Sequence, residues 1–290
     1  MRPVSVAGLA LLSAYPAAAQ FQHGSIGVIY YTPEKLVMAA DSRVLITPAA
    51  TLFGTPAVSG TSDNECKISA LGNTVLFVST SITRVFGYGP LVPDWDNTTS
   101  ARAAFDKITS GGTARGRVEE IANEWSTQIS IRFNGLAALR PDAFQQMLNS
   151  TGAGAITAAY IGGLDNAGNP KLYDIVVLPN TLPTGVVAPV HKVPTCPYHN
   201  FCPVGVRDGL SIVSEFAEGI TDRAKKESSE WKPPRRAPQR DYDAHRTKRM
   251  VELVIRYHDG TDVGGPIDFA QLQRDGTLRW ISKKDNCPAN

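Results

Sequence analysis

Gly24-Ser25-Ile26-Gly27-Val28-Ile29-Tyr30-Tyr31, then Thr32-Pro33-Glu34-Lys35, then Leu36-Val37-Met38-Ala39-Ala40-Asp41-Ser42-Arg43 is the stretch whose reading decides the fold. Its outer parts are rich in β-branched, aromatic and apolar residues, and the middle is turn chemistry. It therefore predicts two strands, Ile29 to Tyr31 and Leu36 to Ala39, folded back on each other. The second strand ends on an acid, a hydroxyl and a base, three polar groups placed where an apolar core stops.

Working outward, Cys66 to Ser69 and Thr74 to Ser79 predict a second hairpin around Leu71-Gly72-Asn73. The intervening 44–64 stretch is rich in Thr, Ser, Gly and Pro and reads as a long loop. Val118, Ile121, Trp125 and Ile129 recur at helical spacing, and Pro141-Asp142 opens a short helix through Leu148. Ala155 to Ile161 and Leu172 to Leu178 return to strand character around Leu164 to Pro170. Helices are expected over Leu210 to Lys226 and Ala244 to Tyr257, then strands over Ile267 to Leu272 and Leu278 to Ile281 with a turn at Asp275-Gly276. Strand pairs with tight turns mean antiparallel sheets, and amphipathic helices need sheet faces to cover.

The N-terminus has the order of a secretory signal. Arg2 supplies a positive start, Val4 to Tyr15 a short apolar run, and Ala17-Ala18-Ala19 a small-residue site. The expected division is 1–19 signal peptide, 20–24 propeptide and 25–290 a single domain with an expanded 179–240 region. Localisation is then secreted or extracytoplasmic. Beyond the leader no stretch approaches the ~20 apolar residues of a membrane span.

The 290 residues carry a formal charge of only +2, which gives no case for a nucleic-acid partner. The basic run from Lys225-Lys226 through Arg235-Arg236 to Arg249 is interrupted by Pro233, Pro234 and Pro238, lacks interleaved aromatics, and reads as a solvated loop. The four cysteines, Cys66, Cys196, Cys202 and Cys287, suggest two disulfides in an oxidising compartment, with three pairings open. Cys196 and Cys202 bracket a short loop, and Cys66 with Cys287 would tie the tail to the body. A metal site on Cys196, His199 and Cys202 is an incomplete ligand set, so no metal or other cofactor is expected. Asn97-Thr98-Thr99 and Asn149-Ser150-Thr151 fit the N-glycosylation pattern.

In their order and spacing, these segments resemble the proteasome-like branch of the N-terminal-nucleophile hydrolases. The resemblance rests on Gly24 to Val28 with Leu36 to Arg43, on Cys66-Lys67-Ile68 with the following turn and strand, and on Ala159 to Asp165 with Pro170 to Tyr173. The helix Thr247 to Tyr257 leading into Val263-Gly264-Gly265-Pro266-Ile267-Asp268 completes it. It implies a four-layer αββα sandwich of two antiparallel sheets flanked by helices. It also implies a nucleophile at Ser25, where the family's peptidases use threonine, an aspartate at Asp41 and a lysine at Lys67. A later aspartate falls at Asp259 or Asp262, and oxyanion donors lie around Thr80 and Ser81. Ring assembly, hence a homo-oligomer, is a further implication.

The chemistry implied is a secreted amide or peptide hydrolase activated by cleavage before Ser25. A serine hydroxyl needs a base, and a freed α-amine titrating near ~8 would serve. Gly24 fits the processing position. Lys67 would hold positive charge beside Ser25, with Asp41 positioning it. The substrate, a small amide or peptide, is not legible. The rival expectation is a catalytically inactive secreted scaffold or binding protein on the same fold. Serine hydrolysis with His191, His199 or His258 as base lacks a Gly-x-Ser-x-Gly elbow.

Overall fold

A computed structural model describes residues 19–48, 60–88, 91–110, 112–151, 155–179, 186–192, 197–285 and 287. In chain order the first strands are β1 (Gln20–His23), β2 (Ile26–Tyr31), β3 (Lys35–Ala40), β4 (Val44–Pro48), β5 (Gly60–Ser62), β6 (Ile68–Leu71), β7 (Val75–Ser81), β8 (Arg84–Phe86) and β9 (Trp95–Asp96). Helices α1 (Asn97–Thr109), α2 (Val118–Leu139) and α3 (Pro141–Ser150) follow. Next come β10 (Thr157–Leu164), β11 (Pro170–Pro179), β12 (Val186–Val187), β13 (Val190–Lys192) and β14 (Phe201–Gly205). The chain ends with α4 (Arg207–Glu218), α5 (Asp222–Glu230), α6 (Tyr242–Tyr257), β15 (Asp268–Gln273) and β16 (Leu278–Ser282).

The expected hairpin forms with Gly27 opposite Ala40 and Tyr31 opposite Leu36. It lies at the centre of a five-stranded sheet in the order β14-β2-β3-β15-β16. Alternation along β2 sends Ile29 and Tyr31 to one face and Ile26, Val28 and Tyr30 to the other. The first set packs on Leu76, Val78 and Tyr160 of a six-stranded sheet built on β12-β11-β10-β7-β6 with β13 alongside β11. The second packs on Phe216 of α4 and Val251 and Val254 of α6. A third core joins α1–α3 to the outer face of the six-stranded sheet, with Trp125 and Phe133 buried against Phe77 and Ile161. The sheets approach closely at Gly162, where a Cβ would lie 2.1 Å from Leu36 Cδ2. A side chain there would push the two layers apart.

The two-sheet four-layer sandwich needs correction. A third antiparallel sheet, in the order β5-β4-β1-β8-β9, takes β1 from residues read as propeptide, β4 and β5 from those read as loop, and β8 and β9 from residues whose pattern predicted no element. The fold is mixed α+β with three sheets and, among the described residues, six α-helices. Gln20–His23 pairs with β4 on one side and β8 on the other, so this segment is an inner strand and not a loose extension. The loop expected over 44–64 contributes β4 and β5, while residues 49–59 lie outside the described part.

Local chemistry explains two further differences. The single helix expected over 210–226 is two, because Gly219 adopts the left-handed conformation (φ 63°) and Thr221 caps α5 by accepting from the Ala224 amide. Helix α1 was hidden inside the glycosylation pattern: Asp96 is its cap, accepting from the Thr99 amide at 2.6 Å. Asn97 is 1% exposed and its amide donates to the Ile82 carbonyl and Thr157 Oγ1, so the folded chain offers no acceptor there. Asn149 is exposed on α3. The glycoprotein expectation therefore fails at one position and gains no support at the other.

Cys66 and Cys287 form a disulfide, Cα–Cα 5.5 Å. Cys196 lies outside the described residues, as does nearly all of the expected signal peptide. Among the described residues no helix is long and apolar enough to cross a membrane. Beside the disulfide, buried Asp268 accepts from the Lys284 amide and pairs with its ammonium, both at 2.8 Å. The bond closes a 221-residue separation, so Cys287→Ser should cost about 2–5 kcal/mol. Urea unfolding under non-reducing conditions measures this, and an unchanged midpoint would contradict it.

Candidate functional site

Ser25, Asp41 and Lys67 come together. Ser25 ends the link between β1 and β2, Asp41 follows β3, and Lys67 precedes β6. Asp41 Oδ1 accepts from Ser25 Oγ at 2.7 Å, from the Ile26 amide at 3.0 Å and from Lys67 Nζ at 3.3 Å. Its Oδ2 accepts from the Gly264 amide at 2.8 Å. Lys67 Nζ also donates to the Arg43 carbonyl. The Asp41 and Lys67 side chains are 0% and 1% exposed. Burial lowers the Lys67 pKa below the usual 10.5, and Asp41 opposes that fall.

The segment between α6 and β15 closes over this cluster. The Ser25 amide donates to the Asp262 carbonyl at 3.0 Å, and the Ser42 and Arg43 amides donate to the Gly264 carbonyl at 3.1 Å. Ser42 Oγ donates to the Pro266 carbonyl. Ser25 is held at φ 111°, a region L-residues rarely occupy. Of the two later aspartates, Asp262 is at the cluster through its backbone, whereas Asp259 is exposed.

The hydrolase expectation required a free α-amine beside Ser25 Oγ. In the uncut chain the Ser25 nitrogen is a peptide amide that donates to the Asp262 carbonyl, and the buried hydroxyl donates to Asp41. The two-sheet sandwich on which the assignment stood is replaced by three sheets. The N-terminal-nucleophile hydrolase, its enzyme class and the proteasome-like scaffold are corrected together. Ser25, Asp41 and Lys67 together form a buried polar joint. Thr80 Oγ1 is buried without a hydrogen-bond partner, and the Thr80 carbonyl accepts from Thr157 Oγ1. Ser81, at φ 61°, turns the chain out of β7. His199 contacts the Tyr30 hydroxyl and not a serine. The side chain of His191 lies outside the described part.

Beside the joint opens a cleft of about 640 Å³, with Gly24, Ser81 and Asp262 in its wall. Its apolar side includes Ala158, Val176, Val204 and Leu210. Its polar side includes Tyr160, Asp174, Asp208 and His258. His258 Nε2 meets Asp262 Oδ1 at 2.7 Å, while its Nδ1 is buried with no partner. Desolvation raises the Tyr160 hydroxyl pKa and lowers that of His23, also in the wall, with Asp262 opposing the second shift. The sequence reading missed Tyr160, Asp174 and Asp208, since each sits in an ordinary strand or helix pattern. The unused signals were the polar residues interrupting the apolar faces of β10 and β11.

No family model matches the chain, and a search of curated proteins finds no match either. Among the described residues no group of three or more His, Cys, Asp or Glu is placed to hold a metal ion.

Lys67 supplies a test of the joint. Its folded pKa lies below its unfolded value, so unfolding takes up a proton between the two, and this group's contribution to stability rises with pH across that window. The difference in stability between the natural chain and Lys67→Met should therefore shift in favour of the natural chain from about pH 7 to about pH 10. Parallel curves would contradict this. Asp41→Ala, which leaves the ammonium unpaired, should cost about 3–5 kcal/mol.

Proposed function

We propose that this is a ligand-binding protein whose cleft takes a small amide or short peptide carrying a free amine. The observation that carries the reading is the unpartnered, buried Nδ1 of His258 in the cleft wall. With Nε2–H donated to Asp262, Nδ1 is an acceptor, and an amide or ammonium N–H of a ligand would supply its missing donor. An orphaned buried acceptor is costly, so pairing it contributes to affinity. Asp174, Asp208 and Asp262 outnumber Arg207 in the wall and so favour a positive charge, and the Val176 and Leu210 side offers area to an apolar substituent. A volume of about 640 Å³ is in the range of small-molecule sites.

Kinship with the proteasome-like family is a proposal of ancestry only, supported by the meeting of Ser25, Asp41 and Lys67, and it carries no activity. An extracytoplasmic setting is likewise proposed, supported by the Cys66–Cys287 disulfide. Assembly into a homo-oligomer rests on that ancestry.

Calorimetric titration with phenylalaninamide tests the binding reading. Saturable binding is expected, weakened about tenfold by His258→Ala and by Asp208→Asn. N-acetylphenylalaninamide, which lacks the charge, should bind at least about tenfold more weakly. Equal affinity across both variants and both probes would overturn the reading.

A further inference from the structure

We propose a second binding site, for small polyanions of the di- or polyphosphate class, at the opposite ends of the strands. Strand β2 leaves the first cleft at Ile26 and delivers Tyr31 to the turn that carries Glu34 and leads into Lys35 of β3. Six residues at about 3.3 Å each separate the two ends by roughly 20 Å. The far end holds a cavity of about 630 Å³ whose charged walls are Glu34, Lys35, Arg115, Arg240, Arg274 and Asp275.

These residues arrive from separate parts of the chain. Glu34 comes from the β2–β3 turn and Lys35 from the start of β3, Arg115 from the approach to α2, Arg240 from the 3₁₀ turn before α6, and Arg274 and Asp275 from the β15–β16 turn. The turns are tied together: the Arg274 amide donates to the Glu34 carbonyl at 2.8 Å, and Lys35 Nζ donates to the Arg240 carbonyl at 3.2 Å. Arg115 lies along the β15–β16 turn, its Nη2 3.7 Å from where a Cβ on Gly276 would stand.

Four cations face two carboxylates, and the carboxylates are weakly placed to neutralise them. Asp275 Oδ1 already accepts from the Thr277 amide at 2.7 Å, and Glu34 reaches Arg274 only at 3.7 Å. Lys35 is paired with Asp243 at 2.7 Å, so it frames the cavity and adds little net charge. Arg240 stands 3.9 Å from Asp241, whose carboxylate is already taken by Gln271 and Arg279. Arg115 has no carboxylate within ion-pair distance among the described residues. Three arginines from three elements border the one cavity, with their charge incompletely matched, and suit a ligand that presents several anionic oxygens at once.

Inorganic pyrophosphate titrated into the full chain at low salt is the test. Saturable binding is expected, weakened about tenfold by Arg115→Gln and by Arg274→Gln and about a hundredfold by the pair. Arg132→Gln, an exposed change on α2, should leave it intact. ADP in place of pyrophosphate separates the sources: tighter binding assigns a nucleoside diphosphate, and equal binding a bare polyphosphate. In the unaltered chain, pyrophosphate should also protect Arg115 and Arg274 from phenylglyoxal, read by peptide mass spectrometry. No saturable binding, no protection, or equal weakening by Arg132→Gln would overturn the proposal. His258→Ala, at the other end, should not change it, so the two sites fail independently.

Discussion

The rest of the structure depends on one buried carboxylate. Asp41 gathers a hydroxyl, an ammonium and two backbone amides, from the start of β2, the approach to β6 and the segment before β15. A lone charge in so dry a place would be untenable. Four donors on two oxygens make it tolerable, and they do so only in one arrangement of three chain segments. The left-handed backbone at Ser25 is held by the same contacts. The buried ion pair is best understood as a register device, with its contribution to net stability reduced by the desolvation of both partners.

That joint sets the wall of the first cleft. Gly24 and Asp262 reach the cleft because the Ser25 amide is fastened to the Asp262 carbonyl, and Asp262 in turn holds the His258 ring. Side chains that never touch the cleft thus decide its shape. At the far end, backbone hydrogen bonds between turns do the corresponding work, and the charges are left to the surface. One end of the sheets is therefore acidic and partly apolar, the other basic, and the strands between them are almost wholly buried on both faces.

The third sheet shows how the N-terminal segment is used. Phe21 is fully buried and joins the helix-side core, while β4 and β8 satisfy the backbone on both edges of β1. Beyond β8 at the sheet edge, β9 leads directly into α1, whose first residue is the buried Asn97. A segment that looked dispensable is integrated through both packing and hydrogen bonding.

By itself the sequence determined the elements with strong periodicity and clear punctuation. The β2–β3 and β6–β7 hairpins, the long stripe of α2 and the body of α6 follow from side-chain spacing, which is local information. The family resemblance, and not side-chain spacing, brought Ser25, Asp41 and Lys67 forward as a set, and the cysteine count left Cys66 with Cys287 as one of its open pairings. Only the tertiary structure decided the third sheet, because β1, β4, β5, β8 and β9 are each too short to carry a period and exist through pairing with distant partners. Only it decided that Asn97 is a core amide, that Ser25 lies sealed behind Asp41, and that Tyr160, Asp208 and His258 share a cleft with Arg115, Arg240 and Arg274 gathered at the other end. Burial and convergence arise between residues far apart in the chain, and no local pattern of residue types records which of them will meet.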